Sequence, residues 1–333
     1  MNVLVTGVAG FMGSHIADSF LKRGDKVVGI DNLIGGYKSN IPLGVKFYEL
    51  DLGDFDSVHQ VFEGIDLVVH TACTAHEGLS IFSPSLITRN TSHISTVAIS
   101  ASIKHKVKKF VHMSSMARYG SQQIPFTEDM QPKPQDPYGI AKVASEDILK
   151  NLAKTHGMEY VILVPHNIIG PRQKYDDPFR NVASIMINRM LQGQQPIVFG
   201  DGSQMRCFSF WQDVVDPLMV ACLSNHANGM TINIGPDEEF ITVIELARRI
   251  AKILDFDLDP IYLPARPQEV QHAMASATLS RQILGYKTSV FLDDGLKELC
   301  NWIKEQGPKP FKYHLPLEFV TDKTPSVWIK SEK

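Results

Sequence analysis

The sequence predicts an α/β protein: a doubly wound parallel sheet, joined by a smaller α/β unit built mostly from the C-terminal half. Three observations predict it. Short runs rich in Val, Ile and Leu recur through the first 165 residues, too continuously apolar for strands wetted on one face. Helical stretches separate these runs, the alternation expected of βαβ units. A glycine triplet, Gly7, Gly10 and Gly13, joins the first apolar run to the first helical one.

The elements follow in order. Strand 3–6 leads into helix 11–23, closed by Gly24, a residue type suited to ending a helix. Strands follow at 26–31 and 45–51, then a helix over 54–63 and a strand at 66–72. A long helix over 84–104 precedes strand 109–115, helix 137–156 and strand 160–165. The rhythm then breaks. Helices are expected at 181–191, 213–224, 243–254 and 293–305, with short strands at 196–199 and 231–234. The Pro-rich stretch after Pro308 is expected to wrap the surface.

Composition narrows the possibilities. The chain has 333 residues, long for one ordinary core. It is 44% hydrophobic and 21% charged, which excludes a disordered chain and a collagen-like fibre. The net charge of −3 provides no general basic field for nucleic acid or anionic lipid. The short basic run 104–109 sits at a helix end, where cations suit the dipole. No transmembrane segment is expected. Cys73, Cys207, Cys222 and Cys300 form no CxxC pair, so free thiols in a reducing compartment are expected, and the cytoplasm with them. The histidines lack metal-ligand spacing, so no metal is expected.

The stretch Thr6–Gly13 lies where a strand ends and a helix begins. Gly7 permits a tight turn, Gly10 lets backbone N–H groups approach a pyrophosphate, and Gly13 lets helix and strand pack closely. Asp31, ending the second strand, suits the ribose hydroxyls of NAD and would repel the 2′-phosphate of NADP. Asp51 and Leu52, ending the third, are placed to meet an adenine edge. Further along, Asp136 is a good helix N-cap and Pro137 belongs at the first helical position. Tyr138 and Lys142 then share one face at i and i+4, with Ala141, Ala144, Ile148 and Leu152 as the packing stripe. An ammonium beside a phenol favours the phenolate and lowers its pKa from about 10, which yields a general base. Ser114 and Ser115 end the preceding strand at the edge where ligands bind in open α/β sheets.

Together, Thr-Gly-x-x-Gly-Phe-x-Gly-Ser, Asp31-Asn32-Leu33, Ser114-Ser115 with Tyr119-Gly120, Asp136-Pro137-Tyr138-Gly139-x-x-Lys142, Asn167 and Gly170-Pro171-Arg172-Gln173 resemble the extended short-chain dehydrogenase/reductase family. Within it the chain is most similar to the NAD-dependent sugar-nucleotide epimerases of the UDP-glucose 4-epimerase kind. The resemblance runs from residue 1 to about 300. It implies a Rossmann-type NAD-binding domain over 1–166 with about 213–235. It places a sugar-nucleotide-binding domain over 167–212 and 236–318, and a tail at 319–333. It also implies a homodimer through helices 84–104 and 137–156.

By family position Tyr138 is the base, Lys142 also holds the nicotinamide ribose, and Ser115 bonds the sugar O4. The phenolate removes the O4 proton while C4 gives a hydride to NAD; the 4-keto sugar turns and takes the hydride back on its other face. The cofactor residues implied are Gly7, Gly10, Phe11, Met12, Gly13, Asp31, Asn32, Asp51, Leu52, Thr71, Ala72, Cys73, Asn90, Ser114, Tyr138, Lys142 and Pro165. For the UDP-sugar they are Ser115, Asn167, Asn181, Val182, Phe199, Arg206 and Arg266, with Phe199 against the uracil and the arginines on the diphosphate. Val164, Cys207 and His93 depart from the usual Arg, Asp and Gly. Met116 and Ala117 stand where family 4,6-dehydratases carry an Asp-Glu pair, so elimination is not expected. The expected activity is 4-epimerisation of a UDP-hexose. The alternatives are a sugar-nucleotide dehydrogenase/reductase with net redox and a non-catalytic NAD-binding regulator.

Overall fold

A computed structural model describes residues 1–329. Its centre is one parallel sheet of seven strands: β1 (Asn2–Thr6), β2 (Lys26–Asp31), β3 (Lys46–Glu49), β4 (Leu67–His70), β5 (Lys109–Met113), β6 (Glu159–Pro165) and β7 (Thr231–Ile234). Their order is β3-β2-β1-β4-β5-β6-β7. Chain direction across the sheet therefore reverses between β1 and β4, and a crevice opens beyond their carboxyl ends. Thr6 pairs with both Ile30 and His70 at that edge.

Side chains alternate across each strand, and both faces of β1 are buried. Val3 and Val5 join Ile16, Phe20 and Leu218 on one side. Leu4 joins Phe62, Ile99 and Leu149 on the other. Each such side chain contributes about 1.5–3 kcal/mol when buried. The first face is covered by α1 (Phe11–Lys22) and α5 (Trp211–Leu223), the second by α2 (Ile94–Lys104) and α3 (Pro137–His156). α5 and β7 come to this sheet from the second half of the chain.

A second core gathers α4 (Val182–Leu191), α6 (Val243–Leu254) and α7 (Leu292–Gln306) around Tyr175, Ile187, Val198, Leu246, Leu296 and Ile303. Several two- and three-residue strands tie its loops together, including Met205–Arg206 between Ile241–Thr242 and His272–Ala273. One of them, Ile197–Phe199, lies within the strand expected at 196–199; the others are too short to carry a period.

Four expectations need correction. The helix expected over 84–104 is Pro84–Thr88, a π-type turn at Arg89–His93, and α2; the extra residue per turn swings Asn90 toward the crevice. The helix expected over 54–63 begins on the Asp54 cap but tightens to 3-10 geometry after Val58. On α3 the inward face is Ala141, Ser145, Leu149 and Ala153, while Ala144, Ile148 and Leu152 are half-buried. Lys142 and Glu146 are themselves buried and draw that face inward. Finally, the tail does more than wrap a surface. Tyr313, Leu315, Leu317 and Trp328 pack on Leu79, Phe82 and Phe179. The Glu318 carboxylate accepts from the Ser85 and Leu86 N–H groups at 3.1 and 2.7 Å, at the start of Pro84–Thr88. Residues 330–333 of the expected tail lie outside the described residues.

Candidate active site

The crevice at the β1/β4 edge is built around the glycine turn. Gly7 has φ +73°, in the left-handed region glycine favours, and its carbonyl accepts from the Gly10 N–H at 3.0 Å. A Cβ on Gly13 would stand 2.1 Å from that carbonyl oxygen, so only glycine lets α1 approach β1 this closely. No side chain caps α1 at Gly10, which leaves the first N–H groups of the helix facing the crevice for an anion.

Asp31 and Asp51 hold the adjoining loops. Asp31 accepts from the Ala9 and Leu33 N–H groups at 2.9 and 2.7 Å. Burial nonetheless pushes its carboxyl above the usual range. Asp51 is more open: burial works against its ionisation, but the Gly53 N–H at 2.8 Å and Arg89 at 3.0 Å bring its carboxyl below the usual value.

Tyr138 stands in the first turn of α3, which is capped by Asp136 accepting from the Gly139 N–H at 2.9 Å. Ser115 lies two residues beyond β5 and lines the crevice with Tyr138; its hydroxyl accepts from the Ala117 N–H at 3.2 Å. The Lys142 ammonium is buried, 5.8 Å from the Tyr138 ring centroid, and donates to the Met113 carbonyl at 2.6 Å. Burial pushes the phenol well above 10, with the Cys73 and Glu77 charges adding and Ser115 and Arg180 opposing. The Lys142 ammonium is held by the Met113 carbonyl, on the same side of the crevice as the phenol. Beneath them His70 is held near 3 by burial and by the charge of Lys142; it bonds Thr6 and Ser95.

Ser114 turns away from the crevice mouth to donate to Glu146, which is fully buried and paired with Arg118 at 3.1 Å. Met116 and Ala117 are both buried, with no carboxylate at that step of the chain.

Every cofactor and substrate residue expected from the sequence lines one continuous cavity of about 580 Å³. At its far end Asn181 caps α4, accepting from the Ala183 N–H at 3.2 Å, with φ +55°. Asn167 donates to the Cys207 carbonyl at 2.9 Å. Arg266 lies 5.0 Å over the Phe199 ring and pairs with Glu269 at 2.5 Å. Arg206 donates to the carbonyls of Met205, Val270 and Gln271.

Three contributors were missed. Arg180 lines the cavity and, among the described residues, makes no hydrogen bond or ion pair; its place one residue before the capping Asn181 was the available signal. Glu77 lines it too, and it is the only acid between Asp66 and Glu128. Phe311, Tyr313, Val327 and Trp328 bring the tail into the wall, and nothing local in the sequence signals that contact. Of the departures, Val164 is core on β6, Cys207 is buried with its thiol pushed up to about 12, and His93 bonds the Gly53 carbonyl at 2.9 Å.

A family model described as the NAD dependent epimerase/dehydratase family matches residues 3–235. A UDP-N-acetyl-alpha-D-glucosaminuronate decarboxylase of Bacillus cytotoxicus is 30% identical over 319 residues, 91% of this chain and 97% of that protein. A UDP-glucose 4-epimerase of Mycolicibacterium smegmatis is 30% identical over 318 residues, 92% of this chain and 100% of that protein. Among solved structures, the UDP-glucose 4-epimerase of Thermotoga maritima with UDP-glucose superimposes with a TM-score of 0.87 at 32% identity, covering 92% of this chain and 99% of that one.

Proposed function

The chain belongs to the NAD-dependent epimerase/dehydratase family, and from that premise we propose that it epimerises a UDP-hexose at C4, with glucose, galactose or their N-acetyl forms as the sugar. The glycine turn, whose Gly13 has no room for a Cβ, and the uncapped start of α1 fit the pyrophosphate of NAD. Bound there, NAD supplies a hydride acceptor for the sugar carbon. The chain supplies the rest. Tyr138 takes and returns the O4 proton, Ser115 holds the phenol and the sugar oxygen, and Lys142, fixed by the Met113 carbonyl, orients the ribose. Arg206, Arg266 and the free Arg180 bring positive charge to the diphosphate. The NAD-binding domain is assigned to 1–166 with 213–235, and the sugar-nucleotide domain to 167–212 and 236–318.

One observation carries this reading over elimination: Ser115, Tyr138 and Lys142 meet at the crevice while Met116 and Ala117 leave no acid pair beside them. Purified protein incubated with UDP-glucose or UDP-N-acetylglucosamine should yield the 4-epimer without stoichiometric NADH. Tyr138→Phe should lower kcat by about 10²–10⁴-fold with NAD still bound. Accumulating NADH, or a Tyr138→Phe variant with unchanged turnover, would overturn the assignment. We further propose a cytoplasmic homodimer through α2 and α3, where Ile140 is exposed on the outward face; a monomer by light scattering would exclude the dimer.

A further inference from the structure

One acid in the cleft has no part in the chemistry above. Glu77 opens the short helix Glu77–Ser80 that follows β4. Its side chain is open to the cleft. Among the described residues its carboxylate accepts no hydrogen bond and meets no cation within pairing distance. It lies close enough to Tyr138 for its charge to act on the phenol. Behind it a recess of about 40 Å³ leads off the main cavity, lined by Asp136, Arg206, Arg266 and Glu269.

The charges around that recess do not neutralise Glu77. Arg206 is engaged by three backbone carbonyls and Arg266 by Glu269. Asp136 is the α3 cap. Of the three carboxyl groups at the recess, Glu269 is paired with Arg266 and Asp136 caps α3, while Arg206 is spent on backbone carbonyls, so Glu77 has no ion-pair partner among the described residues. The unpaired Arg180 stands at the start of α4, where the helix N-terminus adds positive potential suited to a diphosphate.

Resting on the functional reading above, we infer that Glu77 determines which sugar is accepted: it takes a hydrogen bond from a hydroxyl or amide substituent of a neutral hexose beside Tyr138, and it repels the carboxylate of a hexuronate. A carboxylate acceptor facing the cleft beside a reacting centre discriminates between a donor that satisfies it and an anion that cannot. Relatives of this chain span both kinds of substrate by name, a glucose 4-epimerase and a glucuronate 4-epimerase among them. Burial, reinforced by Asp136, pushes the Glu77 carboxyl up to about 7, so at pH 8 it is chiefly the anion.

The test is calorimetric binding of UDP, UDP-glucose and UDP-glucuronate to the NAD-loaded protein at pH 8. Wild type should bind UDP-glucose at least about tenfold tighter than UDP-glucuronate. Glu77→Gln, close in shape and uncharged, should narrow that ratio about tenfold, a shift of about 1.4 kcal/mol. Glu77→Asp, which keeps the charge, should preserve it. Equal affinity of the wild type for the two sugars, an unchanged ratio in Glu77→Gln, or a ratio lost equally in Glu77→Asp would overturn the role of Glu77. UDP itself isolates the foundation: failure to bind UDP would overturn the nucleotide-sugar reading, whereas UDP binding with no sugar discrimination would overturn only the inference.

Discussion

Gly13→Ala probes the cofactor cradle most directly. The new Cβ would lie 2.1 Å from the Gly7 carbonyl oxygen and 2.7 Å from its carbon, against about 3.0 Å as the closest approach real Cβ atoms make. About 1 Å of backbone must open. The obstacle cannot rotate away, because the Gly7 N–H is tied to Ile30 at 2.8 Å and its carbonyl to Gly10 at 3.0 Å. Forcing one methyl into such a contact costs about 1–3 kcal/mol, and the displacement falls on the loop that would hold the pyrophosphate. Gly24→Ala is the matched control. Gly24 has φ +89° with nothing within 4 Å of its would-be Cβ, so it incurs backbone strain of about 1–2 kcal/mol far from the cradle. Urea unfolding with and without NAD separates the two. Gly13→Ala should lose stability and raise the NAD Kd at least about tenfold, erasing most of the stabilisation that NAD provides by mass action. Gly24→Ala should lose stability alone. If Gly13→Ala kept its NAD affinity within about twofold, the close packing of α1 on β1 would not be what forms the cradle.

The tail and one buried pair yield two more expectations. Trp328 is buried against Phe82 and Phe179 and forms part of the cavity wall; Trp328→Ala should weaken UDP-sugar binding about tenfold while NAD affinity stays within twofold, both read by calorimetry. Asp177 is deeply buried, which opposes its ionisation, but His76 at 2.8 Å and the Phe179 N–H bring its carboxyl below the usual value. A depressed carboxyl stabilises the fold above its unfolded pKa of about 3.9 and loses that contribution as pH falls through the lower folded value. Asp177→Asn should therefore cost about 1.5–3 kcal/mol at pH 7 and flatten the acid limb of a stability–pH curve; an acid limb as steep as that of the wild type would show that the pair does not govern it.

How much of this was legible in the sequence follows from what each signal depends on. The strands were readable because a sheet covered on both faces demands unbroken apolar runs, so Leu4 and Val5 are equally constrained though they face opposite cores. The start of α3 was readable because its cap, Asp136, and its first-turn Pro137 act locally. The inward face of that helix was not. Lys142 and Glu146 look like surface residues by composition, and the Met113 carbonyl for the first, with the Ser114 hydroxyl and Arg118 guanidinium for the second, all distant in sequence, make their burial tolerable. The π-type turn at Arg89–His93 is similarly hidden, since Asn90 needs Thr74 from another element to hold it. Apart from Ile197–Phe199, the small strands of the second core lack the length to show a period. The tail reaches the cleft through Phe311, Tyr313, Val327 and Trp328, and the aromatic partners of Trp328, Phe179 and Phe82, lie 149 and 246 residues earlier in the chain.

The environment of Tyr138 shows why a spacing can identify a group without describing how it works. Tyr138 and Lys142 at i and i+4 suggest a phenol acidified by a neighbouring ammonium. In the folded protein burial dominates and raises the phenol, while the ammonium is committed to a backbone carbonyl. A group so placed holds its proton firmly until further positive charge enters the same enclosed volume, where low polarity strengthens every charge interaction. NAD in its oxidised form carries a positive nicotinamide ring, and the crevice between the glycine turn and Tyr138 is where the residues fit it. On the proposed function, base strength at Tyr138 would be a property of the site with NAD bound. The chain alone contributes the orientation, through Lys142 and Ser115, and the dry enclosure that makes the added charge effective.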